Sequence, residues 1–326
     1  MASSDSSSVA LPSGTQWQIA SQGHAAVIVE VGGGLRAYAA DGEDVVDGYP
    51  ADALCPGAAG QALQPWPNRI RDGRYTFEGT EYQLSLSEPA THNAIHGLAR
   101  WSRWHAVDVA PDAVTVGLDI APEPGYPWPL RLRTRWSVGA DGLTAEHEAT
   151  NHGGTPAPYG LGLHPYIFLP DAAVDDLELT LPAHSRLLVD GRLLPIGAAK
   201  VAGDAYDFTS PRRLGQATLD TAFGDVEHAD DGRSTVVLSA PDGRTRSIWA
   251  DGAFHWWQVF TGDTLHGERH RRSVAVEPMT CPPDAFRSGR DIVVIKPGDT
   301  WRGTWGIRPG HRDGAIATSS SAADGR

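Results

Sequence analysis

"LRLRTRWSVGADGLTAEHEAT", residues 130–150, decides the fold class. Leu130, Leu132, Thr134, Trp136 and Val138 alternate with Arg131, Arg133, Arg135 and Ser137. Beyond the turn "GADG", Leu143, Ala145, His147 and Ala149 alternate with Thr144, Glu146 and Glu148. Alternation with a period of two belongs to a β-strand with one face on a core; a helix would repeat its apolar residues every three to four positions. The two runs predict a hairpin whose polar face sets arginines beside glutamates, where cross-strand charge pairs form.

The pattern continues in both directions. "AVTVGLDI" places Val114, Val116, Leu118 and Ile120 on one face and Thr115, Gly117 and Asp119 on the other. "RYTFEGTEYQL" and "STVVLSAPDGRTRSIWA" repeat strand, turn and strand, and "DIVVIKPGDTWRGTWGI" closes the series. No segment sustains a helical period for ten residues, while 37 glycines and 24 prolines supply the turns that many short strands need. An all-β, antiparallel protein of two packed sheets is expected. Neither a linker nor a fixed-period repeat interrupts residues 15–310, so one large domain is expected there. The Ser-, Ala- and Gly-rich stretches 1–14 and 311–326 are expected to be tails without fixed structure.

Composition narrows the partners. A net charge of −13 gives no field that attracts phosphate backbones, so no nucleic-acid partner is expected. No apolar run approaches a membrane span, and "MASSDSSSVALPSG" lacks the basic start and apolar core of a secretory signal. Two cysteines, Cys55 and Cys281, are too few for a disulfide framework, and a reduced, cytoplasmic protein is expected. Eleven tryptophans suggest a large core, some of them free to form flat walls for a ligand. Of the 27 basic residues only Lys200 and Lys296 are lysines, a chain-wide bias that weakens any local arginine cluster as a sign of an anion site.

Four segments could carry chemistry. "QPWPNRIRDGRYTF" holds Asn68 and Arg69 between prolines and a strand, either as surface residues or as a fixed fork for sugar or carboxylate oxygens. In "THNAIHGLARW", His92 and His96 have a helical metal-pair spacing without a helical pattern, and Gly97 beside His96 permits a close approach. In "APYGLGLHPYIFLP", His164 precedes Pro165 and is therefore extended; it is either a core histidine or a site group. In "SVAVEPMTCPPDAF", Glu277 ends a run of small apolar residues and is followed by Pro278, Pro282 and Pro283. It is either a solvated strand end or a carboxylate clamped for chemistry. His266 and His270 in "HGERH" lie in a charged loop that reads as solvated, and no metal site is expected.

The order of these segments resembles the aldose 1-epimerase family, also called galactose mutarotases. The resemblance covers roughly residues 15–310 and rests on "NRIRDGRYTFEGTEYQL", "HNAIHG", "GLGLHPYIFLP", "LDTAFGDV", "WQVFTGD" and "VAVEPMTCPPDAF". It implies an antiparallel β-supersandwich with an open sugar cleft. By position, Glu277 would be the general base, His164 the general acid and His96 a second catalytic histidine. Arg69, Asp220 and the adjacent Asn68 would bind the substrate. The implied reaction exchanges the α and β anomers of a free hexose, needs no cofactor and involves only a small sugar. Glu277 would be ionised, His164 protonated, and the two would flank the sugar from opposite sides. A monomer or homodimer is compatible with this. "HGLAR" leans toward relatives acting on hexose 6-phosphates, for which Arg269 to Arg272, Arg100 and Arg103 would receive the phosphate. A carbohydrate-binding protein without catalysis, stacking sugars on Trp128, Trp256 or Trp257, is the alternative from another class. A β-sandwich lyase or hydrolase would use different site groups.

Overall fold

The computed structural model describes residues 10–311, and the tails expected at both ends fall mostly outside them. The opening stretch folds into strands Leu130–Gly139 and Gly142–Asn151, paired antiparallel from Leu130↔Asn151 to Gly139↔Gly142. Its apolar row is buried throughout, from Leu130 and Leu132 through Trp136 to Leu143 and Ala149. Burying each large aliphatic side chain contributes about 1.5–3 kcal/mol, which is what pins this register. On the polar face Arg135 reaches Glu146 at 3.1 Å. Glu148 lies opposite Arg133 but pairs with Arg302 of the next strand, at 2.9 Å.

Two polar residues in the buried row, Thr134 and His147, satisfy each other. Trp305 Nε1 donates to His147 Nε2 at 3.0 Å, so Nδ1 carries the proton and donates to Thr134 Oγ1 at 3.0 Å. Burial pushes the His147 imidazole down to about 3, which keeps it neutral.

The hairpin sits within a nine-stranded antiparallel sheet that runs from His105–Val109 to Arg212–Arg213. A second sheet orders Pro195–Lys200, Ala183–Val189, Asp220–Val226, Trp256–Phe260, Val274–Met279, Gly162–Leu163 and Ala62–Leu63. Both sheets feed one buried apolar cluster, the first with Leu132, Trp136 and Ile248, the second with Phe223, Trp257 and Val276. The fold is the expected all-β antiparallel sandwich. Among the described residues, the α-helix is limited to Ala285–Ser288. The segment "DIVVIKPGDTWRGTWGI" supplies two strands that pair with different partners. Val293–Ile295 pairs with Ala157–Tyr159, whereas Thr300–His311 joins the large sheet beside Gly142–Asn151. No helix among the described residues is long and apolar enough to cross a membrane.

Candidate active site

Val274 and Val276 point into the core, so their strand turns Ala275, Glu277 and Met279 to the other face of the second sheet. Glu277 is not solvated there: it is 2% exposed. The strand also continues past it through Pro278 to Met279. Opposite Glu277 on one side stands Gln258. On the other side the register Gly162↔Met279 and Tyr166↔Ala275 is one alignment, and it sets His164 opposite Glu277.

Why the ladder breaks at this point follows from the prolines. Val276 N–H reaches Pro165 O at 3.3 Å, but Pro165 and Pro278 have no N–H to return. The backbone of His164 turns outward instead, its N–H donating to Gln61 O at 3.1 Å and its carbonyl accepting from Gly60 N–H at 2.8 Å. His164 and Glu277 thus form a non-hydrogen-bonded cross-strand pair, the kind whose side chains come closest. His164 Nε2 lies 3.4 Å from Glu277 Oε1.

The row extends across a further strand. Asp220 is a diagonal neighbour of Gln258, whose Nε2 donates to Asp220 Oδ1 at 2.5 Å. Gln258 Oε1 is buried with no donor among the described residues, leaving an acceptor for a ligand hydroxyl.

Arg69, Asn68 and His96 arrive from outside the sheet. Arg69–Arg71 pairs with Asn93–Ile95, and His96 N–H donates to Asn68 O at 3.0 Å. Asn68 and His96 both adopt positive φ, 53° and 64°, which turns the chain at each strand end. Asn68 Oδ1 accepts the N–H of Arg69 at 2.9 Å, a local bond that lets asparagine hold this conformation. Gly97, at φ 70°, lies where an added Cβ would be 2.1 Å from Gln64 O, so its close approach is to backbone. The proline-rich turn after Glu277 ties back to this unit: Asp284 N–H donates to Arg69 O at 2.7 Å, and Asp284 Oδ1 accepts from Arg71 N–H at 2.9 Å.

All six residues singled out from the sequence line one cavity of about 360 Å³: Asn68, Arg69, His96, His164, Asp220 and Glu277. That volume is of the size that small ligands occupy. The His96 and His164 rings meet edge to face, centroids 5.7 Å apart. Burial raises Glu277 well above the usual carboxylate range, with the Asp220 charge adding and Arg69 opposing. Burial pushes His164 down to about 4, Arg100 adding to the effect, and burial likewise lowers His96 well below the usual imidazole range, with His164, Arg100 and Arg69 adding. Burial also raises Asp220, against the pull of Arg69 and Gln258.

Several expectations change. The Glu277 carboxylate and His164 imidazolium expected from the sequence are both disfavoured by burial. Nor do the two flank a sugar from opposite sides: at 3.4 Å they share one wall. Trp128, Trp256 and Trp257 are 3%, 2% and 1% exposed and present no face to a sugar; Trp101, 52% exposed, is the tryptophan at the cavity. Four of the proposed phosphate arginines are engaged elsewhere, Arg103 with Glu30, Arg269 and Arg272 with Asp47, and Arg271 with Asp175 and Asp263, whereas Arg100 lines the cavity. His92, His266 and His270 are exposed. Among the described residues no cluster of three or more His, Cys, Asp or Glu is placed to hold a metal ion, and both cysteines are free.

Sequence reasoning missed Gln258 and Glu88. Gln258 stood within "WQVFTGD", one of the segments that carry the resemblance, but a glutamine in a buried strand gives no chemical signal by itself. Glu88 lies in "SLSEPATH", which reads as an ordinary polar loop.

Comparison with known proteins fits this geometry. The family described as Aldose 1-epimerase matches residues 15–308. The protein YihR of Escherichia coli (strain K12) is 33% identical over 291 residues, 89% of this chain and 92% of its own length. Galactose mutarotase of Rattus norvegicus is 32% identical over 263 residues, 73% of this chain and 74% of that protein. A GalM/aldose epimerase homologue from C. elegans shares the fold with a TM-score of 0.81 at 20% identity, covering 91% of this chain and 99% of that one. Galactose 1-epimerase from Lactobacillus acidophilus NCFM does so at 0.75 and 21%, covering 89% and 92%. With the profile match spanning nearly the whole chain, this protein belongs to the aldose 1-epimerase family.

Proposed function

We propose that this protein interconverts the α and β anomers of an aldose by opening and reclosing the sugar ring. What carries the reading is the 3.4 Å approach of His164 Nε2 to Glu277 Oε1 inside the cavity. Mutarotation moves protons at the anomeric hydroxyl and the ring oxygen, two atoms bonded to the same carbon. An acid and a base that are neighbours on one wall can serve both. Glu277 takes the hydroxyl proton while His164 protonates the ring oxygen; the C1–O bond to the ring breaks and a carbonyl forms at C1. The C1 end rotates about its bond to C2, and closure on the other face reverses both transfers. The step is redox-neutral and the protons balance. Each positioned group contributes about 10²–10⁴-fold.

The pair needs a single proton in total. Burial supports that inventory: with Glu277 raised and His164 lowered, the two hold one proton over the pH range between them. Its transfer from Glu277 to His164 creates the base and the acid together. Arg69, Asp220 and Gln258 orient the sugar hydroxyls, and His96 steadies the ring against His164. A binding protein without catalysis would have no use for a buried Glu–His pair, since burying two ionisable groups is destabilising.

The test is anomer exchange, followed by polarimetry or by NMR exchange spectroscopy, with galactose and glucose as the first sugars because of the galactose mutarotase relatives. Glu277→Gln is expected to lose at least about 10²-fold in kcat while keeping its melting temperature. Near-normal turnover in that variant sinks the assignment.

A further inference from the structure

The cavity wall that holds Arg69 leans on a residue outside the cavity. The strands Ala183–Val189 and Pro195–Lys200 are joined by the turn 190–194, which closes on itself. Asp190 Oδ1 accepts Arg192 N–H at 2.9 Å and Leu194 N–H at 3.1 Å, and Asp190 N–H donates to Leu194 O at 2.9 Å. An aspartate that ties down its own turn fixes where the residues within it project. Arg192 projects from this turn half-buried and does not line the cavity.

Its guanidinium grips the far end of the ladder that carries the site. Nε donates to Thr91 O at 2.8 Å, and Nη2 reaches His92 O and Asp72 Oδ1 at 2.8 Å and Asn93 Oδ1 at 3.1 Å. Asp72 directly follows the strand Arg69–Arg71, and Asn93 begins its partner Asn93–Ile95. Arg192 therefore joins both strands at the Arg71↔Asn93 end, remote from Arg69↔Ile95. A two-stranded ribbon has little stability of its own without such support. A planar fork of several donors can serve acceptors on both strands at once, which a single ammonium cannot.

The contact with Asn93 carries the effect into the cavity. Asn93 is fully buried, and the two ends of its amide differ. Arg192 holds the oxygen, which leaves Nδ2 turned to Glu88 Oε2 at 3.1 Å. Both Glu88 oxygens in turn accept from Arg69, whose side chain lines the cavity. Without Arg192 the amide loses the donor on its oxygen, and a half-turn would set that oxygen against the Glu88 carboxylate. Resting on the mutarotase reading, we infer that Arg192 is a positioning residue for substrate binding, acting through Asn93 and Glu88 on the Arg69 guanidinium.

Anomer exchange of galactose and glucose by the full chain, followed by NMR, tests this. Arg192→Gln is expected to raise KM about three- to ten-fold and to change kcat by less than about two-fold. Arg192→Lys keeps a charge beside Asp72 but cannot fork, so its KM should fall between those of Arg192→Gln and the wild type. A purely structural role would instead lower the folded fraction, and with it the apparent kcat at unchanged KM. The route through Glu88 is read from the double variant Arg192→Gln/Glu88→Gln. Residues acting along one route do not add, so its KM should match that of Glu88→Gln alone; independent effects would multiply, to about thirty- to a hundred-fold. If Arg192→Gln does not fold, Arg192→Lys takes its place in both comparisons. An unchanged KM in the folded variant, or multiplication in the double variant, overturns the Arg192 assignment and leaves the mutarotase reading standing. Exchange of no aldose by the wild type overturns that reading itself.

Discussion

Arg69 and Glu88 form a two-pronged ion pair in the cavity wall, with Arg69 Nε and Nη2 each 2.9 Å from a separate carboxylate oxygen. Thr91 and Asn93 also donate to Glu88. Burial alone would raise the Glu88 carboxyl; Arg69 and these donors hold it below the usual range instead. A fork fixed in this way keeps its remaining donors aimed and its charge largely cancelled.

Glu88→Gln is therefore expected to raise KM by roughly ten-fold and change kcat less, since Glu88 positions a binding group. It should also move the alkaline limb of the rate profile. Arg69 already favours the Glu277 carboxylate, and freed of its partner it would favour it more. The pKa of Glu277 falls, so the one-proton window closes at a lower pH. An unchanged KM together with an unchanged alkaline limb would rule this role out.

The two histidines should separate in mutants. His164 faces Glu277, whereas His96 reaches the pair only through the His164 ring. His164→Asn is expected to match the loss in Glu277→Gln, and His96→Asn to be milder. For the wild type, activity should fall below about pH 4, where His164 gains a second proton for the pair and no base remains. Steady-state rates from pH 3.5 to 9 check both statements; a more damaging His96→Asn would reverse the assignment of the acid.

Gly97 and Gly79 offer a paired test of close packing. Both have positive φ, 70° and 79°, but an alanine Cβ would meet Gln64 O at 2.1 Å in the first and open space in the second. Gly79→Ala should cost about 1 kcal/mol from conformation alone. Gly97→Ala should cost clearly more, and it should also lower activity by displacing His96. Urea melts of the two variants reading alike would show that the contact with Gln64 is not tight.

His147 should leave a trace in stability against pH. Its imidazole is held at about 3 in the folded state against an ordinary value of 6.5. The unfolded chain thus takes up the proton first, and stability present above 6.5 is lost as pH falls toward 3, by about 1.4 kcal/mol per unit. His147→Gln removes that slope while other groups cancel in the comparison. Between pH 6 and 4 the wild type should lose about 2–3 kcal/mol more than the variant in urea titrations. Parallel curves would mean that His147 is not buried neutral.

The fold class was legible because alternation is local. Leu130 to Ala149 had to place one row inward whatever the rest of the chain did. The positions of Arg69, His96, His164, Asp220 and Glu277 were legible only through the order of short motifs, since no single residue among them announces its role. The tryptophans show the limit: Trp256 and Trp257 read as possible sugar platforms, and both are core.

By itself the amino-acid sequence determined the strands, the turns and the face on which Glu277 projects, since these follow from neighbouring residues. The tertiary structure alone decided that His164 stands opposite Glu277 and that Glu88 cancels Arg69. The reason is physical. Contact, burial and charge balance are set by residues distant along the chain, and their effects on a proton depend on a few ångströms that no local pattern encodes.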